Sequence, residues 1–239
     1  MAALTALNAL GKRLKLDVRG DYSYSPWYSN IRVVAKLSGR TPDQAKTRDF
    51  NISPLGNHDY FMSQDLKAEP YARFSGQGGE FVFCASENPR LQGLAMWRGK
   101  YHEIAFYVPP AFAKDSSFGL SWFDGVSFED EPDGLVVSAS ESKVVADSLD
   151  VSVANTGYLY VHSAQSGLTF VPEHSGARVG RGEVWNQLGH DGAPESLVYA
   201  APSAVAVGSF SSARGATRKA KGDRMLKFFG NVAELEYEV

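Results

Sequence analysis

The chain of 239 residues has one cysteine, Cys84, and five histidines. A single thiol excludes an internal disulfide and a multi-cysteine zinc site. It fits a reducing compartment, or a fold that needs no covalent staple. Long apolar runs are missing as well. The longest stretch without a charge, Ser196 to Ala213, is broken by Pro202 and diluted by serines. It falls short of the ~20 apolar residues of a spanning helix and reads as buried strands. Charge of one sign is not in excess: 24 Lys and Arg against 27 Asp and Glu leave a net −3. The chain as a whole therefore has no electrostatic drive toward nucleic acid or anionic lipid, and any such contact has to be local. No Gly-x-Ser-x-Gly elbow, phosphate-binding GxxxxGK[ST] or GxGxxG loop, or HExxH pair occurs. The opening "MAALTALNALGKRLKL" lacks the order of a secretory signal, because its apolar part precedes its charges. These absences predict a soluble, cytoplasmic or particle-associated protein with no membrane partner, and imply no cofactor.

What is present favours strands. Apolar residues make up 44% and charged residues 21%, as in an ordinary globular protein, and 23 glycines with 14 Phe and 11 Tyr tilt the balance toward turns and strands. "GEFVFCAS", "QGLAMWRG" and "KYHEIAFYV" read as a meander, in which Ile104, Phe106 and Val108 alternate with Glu103, Ala105 and Tyr107. "FGLSWF", "GLVVSAS", "LDVSVA", "GYLYVHS", "LTFVP" and "SLVYAA" follow at the roughly 8–12 residue spacing of a sandwich or barrel. The expected fold is mainly β (β-rich α+β), an antiparallel sandwich or barrel in one domain over residues 1–239. Leu4, Leu7, Leu10 and Leu14 at helical spacing predict an N-terminal helix. Residues of about 40–75, polar and punctuated by Pro42, Pro54 and Pro70, predict a long irregular loop. If a second domain exists, Pro109-Pro110 is where it would begin.

One short motif carries a resemblance. Gly56-Asn57-His58-Asp59 resembles a metal-binding motif of the calcineurin-like phosphoesterases, in which Asn and His reach metal and phosphate from a loop. Two metal ions need bridging carboxylates and several imidazoles, so that family also carries an upstream Asp-x-His and a downstream Gly-His-x-His. Here His58 is the first histidine, and Gly189-His190 is followed by Asp191 rather than a second His pair. The four residues therefore read as a turn, with His58, Asp59, His190 and Asp191 as metal candidates for an irregular hydrolase site.

Local charge is uneven. "SSARGATRKAKGDRMLK" gathers Arg214, Arg218, Lys219, Lys221, Arg224 and Lys227 against one acid, Asp223. Such an arm binds phosphate backbones through counterion release, or docks on an acidic partner. Tyr22, Tyr24, Trp27 and Tyr28 crowd a Pro-broken segment and suit stacking or a protein interface. The acids of "FDGVSFEDEPDG" read as a solvated hairpin. Cys84, flanked by apolar residues in a strand, reads as a buried inert thiol. With no complete catalytic constellation, the leading expectation is a non-catalytic structural or assembly subunit, self-associating or held by other protein subunits, as in a virion-like particle. A nucleic-acid-binding subunit using the 214–227 arm and a metal-dependent hydrolase are the alternatives.

Overall fold

The computed structural model describes residues 1–24, 28–35, 47–140, 142–189, 194–210 and 217–238. Along the chain come β1 (Ala2–Leu7), β2 (Arg13–Val18), β3 (Tyr28–Ala35) and β4 (Thr47–Pro54), then α1 (Asn57–Tyr60), which continues as a π-helical turn over Phe61–Leu66. Next are β5 (Ala68–Gly76), β6 (Gly79–Ser86), β7 (Gly93–Arg98) and β8 (His102–Val108). The helix α2 (Ser116–Ser121) precedes the hairpin β9 (Val126–Glu131) and β10 (Gly134–Ala139). β11 (Ser142–Val153) and β12 (Gly157–Ser163) lead to α3 (Ala164–Gly167). The strands β13 (Ala177–Val179), β14 (Gly182–Leu188), β15 (Pro194–Ala200) and β16 (Ala204–Ser209) then precede α4 (Arg218–Gly230) and β17 (Val232–Tyr237). The fold is mainly β, with antiparallel sheets. The chain forms two compact units: a central one (residues 9–11 and 28–146) and a terminal one (1–8, 12–27 and 147–239).

In the central unit the strand order is β3-β4-β8-β7-β6-β5. One face is aromatic, as the alternation of β6 and β8 dictates: Phe106 stacks on Trp122 at 4.5 Å, and Phe50 and Phe81 contact Phe123. Such ring pairs contribute about 0.5–1.5 kcal/mol each beyond area burial. On the other face Met62 and Leu66 cover Val82, Cys84, Leu94, Met96 and Ala105. In the terminal unit, β13-β14-β15-β16-β12-β11 form one run and β1-β2-β17 a smaller sheet. The helix α4 packs on β15, with Phe229 stacked on Tyr199 at 4.9 Å.

Five expectations are corrected. The predicted N-terminal helix is the hairpin β1–β2: Leu14, Leu16 and Val18 alternate into the core, Leu10 is exposed, and Gly11 turns with φ 75. The period of two in β2 outweighs the leucine spacing because burial follows the strand partner, not the local pattern. The long loop at 40–75 instead holds β4, α1 and β5, while residues 40–46 lie outside the described residues. "FGLSWF" is helical because Asp115 caps α2, accepting from the Ser117 and Phe118 amides at 3.0 and 3.1 Å. "LTFVP" likewise contains a 3-10 turn, Leu168–Phe170. The basic segment, from residue 218 on, is helix rather than a loose arm, with Thr217 accepting from the Ala220 amide at 3.3 Å.

Candidate functional site

The Gly-Asn-His-Asp segment starts α1, with Gly56 at φ 86 before it. Strand register builds its surroundings. On one row, Ser53 of β4 and Arg98 of β7 lie directly opposite Glu103 of β8 from its two sides. The start of α1 sets His58 over this row. Glu103 Oε1 accepts from the His58 backbone amide at 2.6 Å and meets His58 Nδ1 at 2.8 Å. Arg98 Nε stands 3.1 Å from Glu103 Oε2, too misaligned for a hydrogen bond, so that contact is electrostatic. Arg98 also pairs with Asp59.

Glu103 is fully buried and His58 nearly so. Burial pushes the Glu103 carboxyl up, but the His58 side chain and amide and the Arg98 charge outweigh it and hold it below its ordinary value. The Ser53 hydroxyl approaches the same ring nitrogen as Glu103, at 3.2 Å. A nucleophile–base–acid relay needs hydroxyl and carboxylate on opposite ring nitrogens. The geometry is therefore that of a closed ion centre, in which Glu103 Oε2 faces Arg98 Nε without a hydrogen bond.

His102, next along β8, points to the opposite face. Its Nδ1 meets Asp130 at 2.8 Å, and Asp130 also accepts from the Tyr101 amide at 2.8 Å. One member of the acidic hairpin is thus a structural partner of a buried imidazole. Among the described residues no three His, Cys, Asp or Glu side chains gather to hold a metal. His190 and Asp191 lie outside the described residues. Burial pushes the Cys84 thiol up to about 11, far from a reactive thiolate.

The terminal unit brings other candidates together. A cleft of 470 Å³ is lined by Arg19, Asp21 and Tyr22 after β2, by Ala154, Asn155 and Thr156 of the β11–β12 turn, and by Arg224, Lys227 and Asn231 around the end of α4. The Arg19 amide donates to the Asn231 carbonyl at 2.8 Å, which fixes the β2 end beside the helix end. Arg224 donates to the Asn155 carbonyl at 3.2 Å. Tyr22 accepts from Asn231 at 3.1 Å and meets Phe228 edge-on at 5.1 Å.

Helical geometry sorts the basic residues. Lys219, Arg224 and Lys227 are exposed with Asp223, whereas Lys221 is 6% exposed on the inner arc of Met225 and Phe228. The Arg218 side chain, Arg214 and Trp27 lie outside the described residues. The aromatic cluster divides. Tyr24 bridges to Val153 in the terminal unit, its phenol pushed up to about 12 by burial. Tyr28 belongs to the central unit, where it donates to Asn57 at 2.9 Å.

A larger cleft of 760 Å³, also within the terminal unit, lies among the β13–β14 hairpin, the β15–β16 turn and β17. Tyr199 lines it, fully buried, and its hydroxyl proton has no acceptor among the described residues. Burial pushes this phenol up, and the approaching Arg181 amide and charge offset part of that shift.

Sequence reasoning missed Glu103 and Arg98, Arg19 and Asn231, and Tyr199 and Arg181. The charged Glu103 in an otherwise apolar strand was the one visible signal, since a buried carboxylate needs partners. In comparison with known proteins, no family model, no curated protein and no solved structure matches the chain.

Proposed function

We propose that this chain acts by binding rather than by catalysis, as a non-catalytic subunit of a larger assembly whose charged contact is the phosphate backbone of a nucleic acid. The observation that carries the reading is the basic side of the terminal unit. The exposed arc of α4 presents Lys219, Arg224 and Lys227 against the single acid Asp223, and Arg19 joins Arg224 and Lys227 at one cleft. In a chain of net charge −3 this is a concentrated local positive field. Contacts of this kind neutralise phosphates and release counterions without reading base edges. Tyr22 adds a phenol at the rim whose oxygen accepts from Asn231, leaving its proton for a phosphate oxygen. The non-catalytic half of the reading is supported by the Glu103 centre, whose acid and hydroxyl share one imidazole nitrogen.

The test is fluorescence anisotropy of the full chain with a single-stranded oligonucleotide across a salt series. Affinity should fall linearly with log salt. Replacing Arg224→Ala together with Lys227→Ala should weaken binding about tenfold and reduce the slope by about 1.4, two phosphate contacts' worth. Unchanged affinity and slope in that variant would sink the reading. Tighter binding of polyglutamate than of the oligonucleotide would replace nucleic acid by an acidic protein partner.

A further inference from the structure

The 760 Å³ cleft of the terminal unit shares no residue with the basic cleft, and its chemistry is different. Its two sides carry opposite charge. The β13–β14 hairpin supplies Arg178 and Arg181, and β17 supplies Glu234 and Glu236. Arg181 acts on Glu234 at a distance, after Lys15, which pairs with that carboxylate and holds it below its ordinary value. Among the described residues no ion pair closes across the cleft. Between the two sides lies Tyr199: the Arg181 amide approaches its hydroxyl oxygen, and the hydroxyl proton has no acceptor among the described residues. Gly182 lets its backbone lie directly against that ring: a Cβ there would stand 2.7 Å from ring atoms of Tyr199 and collide with the Ala200 carbonyl.

A hydroxyl proton buried in the fold is destabilising until an acceptor arrives. An opening of this volume is the size of a small-molecule site. An arginine beside that hydroxyl selects a carboxylate for the acceptor, because guanidinium and carboxylate match in charge and shape. The acids of β17 select a cation for the ligand's other end. We propose that this cleft binds a small zwitterion of the amino-acid or dipeptide class, its carboxylate at Arg181 and the Tyr199 hydroxyl and its ammonium at Glu236. The site stands apart from the polyanion reading, since neither uses the other's residues.

Isothermal titration calorimetry of the full chain with glycylglycine tests it, with acetate and methylammonium as single-charge controls. Glycylglycine should bind saturably, and each control at least about tenfold more weakly, since each makes only half of the charged contacts. Arg181→Gln, at an exposed position, should weaken glycylglycine about tenfold while leaving the thermal midpoint unchanged. Tyr199→Phe should lower affinity and raise the midpoint of the ligand-free protein, a pairing that a purely structural tyrosine does not give. The proposal is overturned if glycylglycine does not bind, if acetate binds as well as glycylglycine, or if neither variant changes its affinity. Failure of oligonucleotide binding leaves it standing, and the reverse also holds.

Discussion

Glu103 in the central unit and Asp150 in the terminal unit are both carboxylates drawn out of water on β-strands, and their pKa values move in opposite directions. Glu103 is completely enclosed, yet it stays ionised because His58 and Arg98 meet it. Asp150 is less enclosed, receives a hydrogen bond from the Ser148 hydroxyl, and is pushed up to about 6 by burial. Depth of burial alone does not decide the direction of the shift; the hydrogen bonds and charges that meet the carboxylate do. The same contrast runs through the two units. The central one pairs its buried charges with one another, whereas the terminal one leaves arginines, a lysine and a phenol facing clefts.

The strongest way to break the comparison is Glu103→Ala. It strands the buried His58, leaves Arg98 with Asp59 alone, and should cost roughly 3–5 kcal/mol at pH 7, read from urea unfolding. A loss under about 1 kcal/mol would mean that the centre is not holding the central unit together. The stabilisation from Glu103 should also respond to acid. Its folded value lies below the ordinary 4.5, so its contribution is complete above that pH and disappears as pH falls through the folded value.

Asp150 should behave in reverse. Its folded value of about 6 lies above the ordinary 3.8, so the fold carries the full cost of the buried charge above pH ~6 and is relieved as pH falls toward ~4. Asp150→Asn should therefore stabilise by about 1–3 kcal/mol at pH 8 and have little effect at pH 3, by thermal melting at both values. Equal effects at both pH values would remove the contrast between the two carboxylates. The smallest expected effect is at the helix that presents the basic arc. Thr217→Ala removes its N-cap and should cost about 1 kcal/mol in the same assay.

Much of the central meander was legible from residues alone. "KYHEIAFYV" and its neighbours fold as β6, β7 and β8 because β propensity and turn residues agree with the tertiary environment, although both faces of these strands are buried where alternation suggested one. The misread segments had locally ambiguous patterns. The leucines of the N-terminus fit a helix by spacing, but β17 pairs with β2 from more than 200 residues away and fixes a strand. "FGLSWF" alternates like a strand, but Asp115 ahead of it caps a helix. In the Gly-Asn-His-Asp segment, whose composition suggested a turn, only Gly56 turns, and Asn57, His58 and Asp59 open the short helix α1. Its histidine's role depends on Glu103, 45 residues further on, which no local window contains.

The sequence by itself determined a β-rich chain with one inert thiol, a local excess of basic charge before the C-terminal strand, and no familiar catalytic motif. These follow from composition and short-range pattern, which act residue by residue. Only the tertiary structure decided that Ser53, Glu103 and Arg98 form one row beneath His58, that Arg19 lines one cleft with Arg224 and Lys227, and that the Tyr199 hydroxyl proton lies buried with no acceptor among the described residues. Each of these depends on strand register and on chain segments far apart in sequence. Charge pairing and burial are properties of that three-dimensional neighbourhood, not of the residues that enter it.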